Sequence, residues 1–409
     1  MRKKIILAIG CCLALTSSFA QQISTEKIKQ HIKFLSSDSM KGRETGSPED
    51  LIAANYISKQ FAELQLESKG NNNTYLFHYQ FKKPASPHDT IGGEPVSTQD
   101  VVGYLDNKAD YTVVIGGHFD HIGMGMDKNS LDANSEGKVH NGADDNASGT
   151  AGVIELARYF SQNNRTEKFN FLFICFSGEE LGLYGSKKFC ENPTIDLSKV
   201  NYMINMDMIG RLADSTNKLM VLGVGTAPDW VPLLDKTVSD FRIIKDSAGI
   251  GPSDQTSFYL KNIPVIHFFT GQHADYHKPT DDFEKINFPG EKKVLEYIIK
   301  LIKETEALPK MKFLTTKNPD TGKSSFKVTL GIMPDYTFEG KGLRVDGVTK
   351  EKPADRAGLL QGDVIIQLGD IQVNNMNDYM KALSKFNKGD TTEVLISRKG
   401  NELKKKVTF

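Results

Sequence analysis

Between Tyr111 and Leu308 short apolar runs alternate with amphipathic stretches, and this alternation restricts the possible folds more than any other feature of the chain. The strand candidates are Tyr111–Gly116, Phe169–Phe176, Val200–Met206, Leu219–Val224 and Ile263–Phe269. Helical stretches near Ala147–Phe160, Leu181–Cys190, Trp230–Phe241 and Lys292–Ala307 separate most of them. This pattern predicts an α/β fold: a mainly parallel, mixed central sheet with helices on both faces. In such folds ligands bind beyond the carboxyl ends of the strands.

The chain extends well beyond this block on both sides. At 409 residues it is too long for one ordinary core, so two domains are expected. Ile28, Ile32 and Leu35 recur at helical spacing. A second helix is expected from Ser47, with Pro48 in its first turn, Asp50 completing a capping box, and Ile52, Tyr56, Phe61 and Leu64 as its apolar stripe. The Pro-, Gly-, Ser- and Thr-containing segment Lys82–Asp100 reads as a loop. A polar linker is expected over 311–325, and a small β-rich domain with one helix near Met376–Phe386 over 326–409, leaving 21–310 for the larger domain.

The first 20 residues differ from the rest. Arg2, Lys3 and Lys4 precede the apolar run Ile5–Leu15, and Ser18-Phe19-Ala20 offers small residues at the cleavage-determining positions. The pattern is that of a secretory signal peptide cleaved near Ala20, which predicts a secreted or periplasmic protein. The apolar run is too short for a membrane span of about 20 residues. Lipidation at Cys11 fits less well. Export permits a disulfide between Cys175 and Cys190; two buried free thiols are the preferred reading. Lys and Arg total 51, as do Asp and Glu, so no strong basic field points to nucleic acid or acidic lipid.

Five segments put His, Asp or Glu after a strand or in an adjoining loop: Gly117–Asp120, Gly142–Gly149, Gly178–Glu180, Asn205–Met208 and Tyr276–Asp281. Each alone is weak; Asp144 or Asp145 also fits as a cap of the helix starting near Ala147. Together, two imidazoles and several carboxylates with no cysteine cluster suit zinc or a similar divalent ion.

With these five motifs in order, and with Gly42-Arg43-Glu44-Thr45-Gly46 before the capped helix, the region from about Lys27 to Leu308 resembles the co-catalytic two-zinc aminopeptidases, relatives of glutamate carboxypeptidases and glutaminyl cyclases. The resemblance implies two Zn²⁺ ions. His118 and Asp207 would bind one and Glu180 and His277 the other, with Asp144 bridging and a cis peptide between Asp144 and Asp145. Glu179 would be the general base, Asp120 and Asp281 would orient His118 and His277, and Tyr276 would face the developing oxyanion. By this reading His121, His140 and His273 are loop residues near the site and His267 is a core strand residue, because the five ligand positions are filled. Gln255 stands where the family often has His.

The last part of the chain resembles a PDZ domain. Leu330-Gly331-Ile332-Met333 looks like its carboxylate-binding loop, and Pro353–Leu359 with Gly362–Ile365 like its helix-to-strand signature. The resemblance implies docking of a peptide C-terminus or a protein partner by strand addition. The implied function is hydrolysis of N-terminal residues from peptides with a free amino end. The alternatives are a carboxypeptidase or dipeptidase, a glutaminyl cyclase, or an inactive peptide-binding protein.

Overall fold

Helix α1 (Thr25–Leu35) starts where the Ser24 hydroxyl accepts the Lys27 amide, and it buries Ile28, Ile32 and Leu35 as their spacing predicts. Helix α2 (Pro48–Glu63) is capped by Ser47, whose Oγ accepts the Asp50 amide at 3.1 Å. Its buried face is Ala53, Ala54, Ile57 and Phe61, whereas Ile52 is exposed, so the helix is rotated from the expected stripe. Asp50 also departs from a simple capping box. Its carboxylate is buried and accepts from the Gly46 amide, Thr98, Gln99 and Ser177.

The computed structural model describes residues 22–83, 93–126, 129–132, 134–237, 239–316, 328–334, 338, 340–348, 352–374 and 376–409. The expected signal peptide and Cys11 lie outside them. Among the described residues no helix is long and apolar enough to cross a membrane.

The first sheet contains β1 (Glu67–Ser68), β2 (Leu76–Lys83), β3 (Glu94–Leu105), β4 (Thr112–His118), β5 (Asn170–Phe176), β6 (Val200–Met206), β7 (Lys218–Leu222), β8 (Arg242–Asp246) and β9 (Val265–Phe269). It is nine-stranded, in the order β1-β3-β5-β4-β6-β9-β7-β8 with β2 on β3. The central strands β5, β4, β6 and β9 run parallel, and β3 and β7 join them antiparallel. Helices α3 (Gly149–Gln162), α4 (Tyr184–Glu191), α5 (Trp230–Lys236), α6 (Gln255–Tyr259) and α7 (Phe288–Thr305) complete this domain. Two apolar clusters, divided between the sheet faces, include Ile115, Phe173 and Ile204 in one and Val114, Ile174 and Met203 in the other. Strands β4, β5 and β6 are buried along their whole length, which is why they read as continuous apolar runs. Each large apolar side chain buried there contributes about 1.5–3 kcal/mol.

The structure corrects the expected loop at Lys82–Asp100: β3 starts at Glu94 and pairs with β2 from Glu94 to Val101. Cys175 and Cys190 are buried free thiols in different clusters. The start of the expected linker is not free either. The Met311 amide bonds Asn201, Phe313 packs on Tyr259 and the Thr316 amide bonds the Tyr259 hydroxyl, so the chain stays on the first domain through Thr316.

The second sheet holds β10 (Ile332–Pro334), β11 (Leu343–Val348), β12 (Val364–Leu368), β13 (Ile371–Gln372), β14 (Thr391–Arg398) and β15 (Asn401–Thr408), with helices α8 (Pro353–Arg356) and α9 (Met376–Leu383). It has its own core, including Leu330, Val345, Ala354, Ile365 and Val394. The Leu330 carbonyl accepts the Ala354 amide at 2.8 Å and Gly331 takes a φ of +71°, so the loop enters β10 through a left-handed turn beside α8.

Candidate metal centre

The polar residues singled out in the sequence converge at one end of the parallel strands. His118 ends β4, Glu179 and Glu180 follow β5, Asp207 follows β6, and His277 lies in the loop after β9. Asp145 enters from the segment before α3.

His118 Nε2 lies 3.4 Å from Asp145 Oδ1 and 3.4 Å from Asp207 Oδ1. His277 Nε2 lies 3.2 Å from Asp145 Oδ2 and 3.0 Å from Glu180 Oε2. The two oxygens of Asp145 therefore face different clusters. This corrects the expectation for Asp144. That carboxylate points away, accepting the Gly210 amide at 2.7 Å and the Ser148 hydroxyl at 3.0 Å on Oδ1, with His273 Nε2 3.1 Å from Oδ2. The cis peptide is likewise one residue later, between Asp145 and Asn146.

The supporting contacts also differ in part. His118 Nδ1 meets the backbone carbonyl of Asp120 at 3.2 Å, with the Asp120 carboxylate 3.6 Å away. That carboxylate accepts the Glu179 amide at 3.2 Å and the Thr45 hydroxyl at 2.8 Å, so Asp120 ties the β4 loop to the Glu179 loop. His277 Nδ1 faces the Asn129 carbonyl at 3.0 Å, not Asp281. Asp281 instead accepts the amides of Asp144 and Asp145, each at 3.0 Å. Tyr276 stacks on the His277 ring with centroids 3.9 Å apart and borders the cleft.

Residue type alone did not separate the remaining histidines. His121 Nδ1 lies 2.7 Å from Glu180 Oε1, well inside the second cluster. The signal in the sequence is its place one residue after Asp120, in a motif where the resemblance assigns all five ligand positions to other residues. His267 is buried on β9 beside Asn205, and burial lowers its pKa to about 4. Gln255 Oε1 accepts from the same Asn205 amide at 3.2 Å. His140 pairs with the Ser130 hydroxyl at 2.7 Å.

The electrostatics of the cluster call for positive charge. Burial opposes protonation of His118, yet Asp207 and Glu179 beside it, with Asp120 and Asp145, hold its pKa well above the usual range. Burial likewise opposes charge on His277, but Glu180 and Asp145 raise it. Glu180 is drawn down to about 2, against its burial, by His277 and His121. Glu179 goes the other way: burial first, then Asp207 and Glu180, push it well above the ordinary carboxylate value. The buried Asp207 Oδ1 has no hydrogen-bond donor among the described residues. These donors fit divalent ions: imidazole nitrogen and carboxylate oxygen, gathered in two sets sharing Asp145, each within 4.8 Å.

A cleft of about 750 Å³ opens over these groups, with Leu183, Met208, Met220, Leu222 and Phe269 on its walls and Met380 from α9 on its border. Residues 100–302 match the model of peptidase family M28, and residues 320–409 that of a PDZ domain. The chain carries a peptidase family M28 domain followed by a PDZ domain. Among curated relatives, the alkaline phosphatase isozyme conversion protein of Escherichia coli K12 is 30% identical over 170 residues, 41% of this chain and 46% of the relative. Aminopeptidase YwaD of Bacillus subtilis is 30% identical over 158 residues, 36% of this chain and 34% of the relative. The chain thus spans less than half the length of these relatives. A glutaminyl cyclase of Bacteroides thetaiotaomicron shares the fold with a TM-score of 0.56 at 16% identity, over 69% of this chain and 98% of that one.

Proposed function

We propose that this chain is a secreted aminopeptidase holding two zinc ions, which removes N-terminal residues from peptides. The observation that carries the reading is the position of Asp145, whose two oxygens face His118 with Asp207 on one side and His277 with Glu180 on the other. A carboxylate is the side chain that offers one oxygen to each of two neighbouring ions. The ions, when bound, would lower the pKa of a water and polarise the scissile carbonyl. Glu179 is nearly buried, is not shared by the two clusters, and has a raised proton affinity that suits a base. It takes a proton from the attacking water and returns it to the leaving amine. Asp120 holds the Glu179 amide, and Tyr276 stands at the cleft wall where a hydroxyl can donate to the oxyanion. The acidic residues Asp207 and Glu179 favour a substrate ammonium at the same spot.

A glutaminyl cyclase is the second reading, since the fold accommodates that chemistry. The resemblance associates cyclases with one metal ringed by tryptophans. Trp230, the one tryptophan of this chain, is instead fully buried against Tyr202, with ring centroids 5.1 Å apart. Free, N-acetylated and C-amidated forms of one tripeptide distinguish the activities. The aminopeptidase cleaves the free and amidated forms and leaves the acetylated form intact; the reverse pattern indicates a carboxypeptidase, and cyclisation of an N-terminal Gln without cleavage a cyclase. Sequencing of the exported chain from its amino end tests secretion, with Gln21 expected first. The PDZ domain is read as a docking site for a peptide end, tested by fluorescence polarisation with C-terminal peptides.

A further inference from the structure

His121 sits among the candidate ligands without being wired as one. It is 1% exposed, its Nδ1 lies 2.7 Å from Glu180 Oε1, and Asp145 Oδ2 is 3.9 Å away. On distance alone it forms a set with Asp145 and Glu180 that resembles a metal site. The other two histidines of the centre show what a ligand looks like here. Each points Nε2 at the carboxylates and directs Nδ1 to a backbone carbonyl, Asp120 for His118 and Asn129 for His277. That second contact fixes the tautomer and leaves the inner nitrogen bare for a metal. His121 is reversed. Its Nδ1 faces the carboxylates, and its Nε2 is buried with no hydrogen-bond partner among the described residues.

Were His121 a ligand through Nδ1, its one proton would lie on Nε2, as a buried N–H donating to no acceptor among the described residues. The opposite tautomer puts the proton on Nδ1, where Glu180 Oε1 accepts it, and leaves only a bare lone pair at Nε2. The ring is held in this pose. A Cβ at Gly142 would come within 2.5 Å of it, and the His277 ring stands edge-on with centroids 5.8 Å apart. The His121 amide donates to the Arg43 carbonyl at 3.4 Å.

We infer that His121 is a positioning residue for the second metal site: its Nδ1–H engages Glu180 Oε1 and so commits Oε2, the oxygen 3.0 Å from His277 Nε2, to the ion. The inference rests on the two-zinc reading above. It makes Glu180 a ligand of fixed rotamer, set from the side opposite His277.

The test uses the full chain and zinc or cobalt titrations against a chromophoric chelator. His121→Phe fills the space without a donor, His121→Asn keeps an amide N–H close to the Nδ1 position, and His121→Gln carries its amide nearer the Nε2 position. His121→Phe and His121→Gln should each weaken one of two sites by about 10–100-fold and leave the other unchanged, the scale of losing an outer hydrogen bond to a ligand. His121→Asn should restore that affinity, with the cobalt absorption spectrum of the parent. Unchanged affinity in both His121→Phe and His121→Gln overturns the inference. So does a His121→Asn protein that binds as weakly as His121→Gln and has an altered cobalt spectrum, which makes His121 a ligand. If His121→Phe does not fold, the Asn and Gln pair decides alone. A parent protein that binds fewer than two ions fails the two-zinc reading itself, a result separate from either outcome.

Discussion

The Asp281 carboxylate accepts the backbone amide of Asp145 at 3.0 Å, and through the same oxygen that of Asp144. An acidic side chain thereby fixes the backbone of the residue whose own carboxylate is shared between the two clusters. This assigns different outcomes to neighbouring aspartates. Asp145→Asn should weaken both metal sites together in a zinc titration. Asp144→Asn should retain two ions and instead lower the melting temperature, because it removes the charge that Gly210, Ser148 and His273 meet. Loss of both ions from Asp144→Asn alone would overturn the assignment.

Glu179→Gln preserves the shape of the cleft and removes the base. It should keep both ions and lose about 10²–10⁴-fold in kcat, the scale of general base catalysis. Metal analysis and kinetics on the same sample check this; a metal-depleted variant would mean that Glu179, rather than Glu180, is the ligand.

On helix α1, His31 gives the folded state a pH dependence of definite sign. Burial, with Lys27 and Arg158 nearby, lowers its pKa to about 4 from an ordinary 6.5, and its Nδ1 is 2.8 Å from the Tyr56 hydroxyl. The unfolded chain protonates His31 below pH 6.5 while the folded chain does not until about 4, so its stabilising contribution is full above 6.5 and lost as pH falls through that window. Between pH 7 and pH 5 this amounts to about 2 kcal/mol. Asp50, raised to about 7 by burial, acts with the opposite sign but is common to parent and variant. Urea melts of the parent and His31→Gln should therefore show the parent losing about 2 kcal/mol more stability over that range. Parallel losses would show that His31 does not titrate as its burial requires.

A chain ending at Lys317 keeps Met311, Phe313 and Thr316 in place against the first domain. It should fold and cleave small aminoacyl substrates at close to the full-length kcat. Because Met380 borders the cleft, peptides long enough to reach it should show a KM altered several-fold. Loss of small-substrate activity on truncation would make the PDZ domain part of the catalytic unit.

Much of this was visible in the sequence, for physical reasons that also mark where reading stopped. Strands β4, β5 and β6 are buried on both faces, so they appear as unbroken apolar runs, and residues at their carboxyl ends were placed correctly as a group. Strand β3 was hidden because Thr98, Gln99 and Asp100 are buried polar residues that bond Asp50 and the Ser177 loop, which no hydropathy pattern marks. Asp144 and Asp145 are chemically identical neighbours, and only the backbone path past Asp281 tells which one faces both side-chain clusters. The role of His121 depends on which of its ring nitrogens meets a partner, a property of the packed structure alone.

Arg43 adds a consequence for the acidic cluster itself. Its guanidinium is wholly buried and donates to the carbonyls of Leu35, Phe119, Asn141 and Gly142, so backbone dipoles rather than a carboxylate surround it. Burial lowers its pKa to about 10, and it remains a cation under the loops that carry the acidic cluster, attracted by Asp145, Asp120, Asp281 and Glu180. The chain thus carries a permanent internal counterion that no chelator can extract. With or without an ion in the centre, this buried cation offsets part of the repulsion among Asp145, Asp120, Asp281 and Glu180, so the cluster is never a bare knot of like charges.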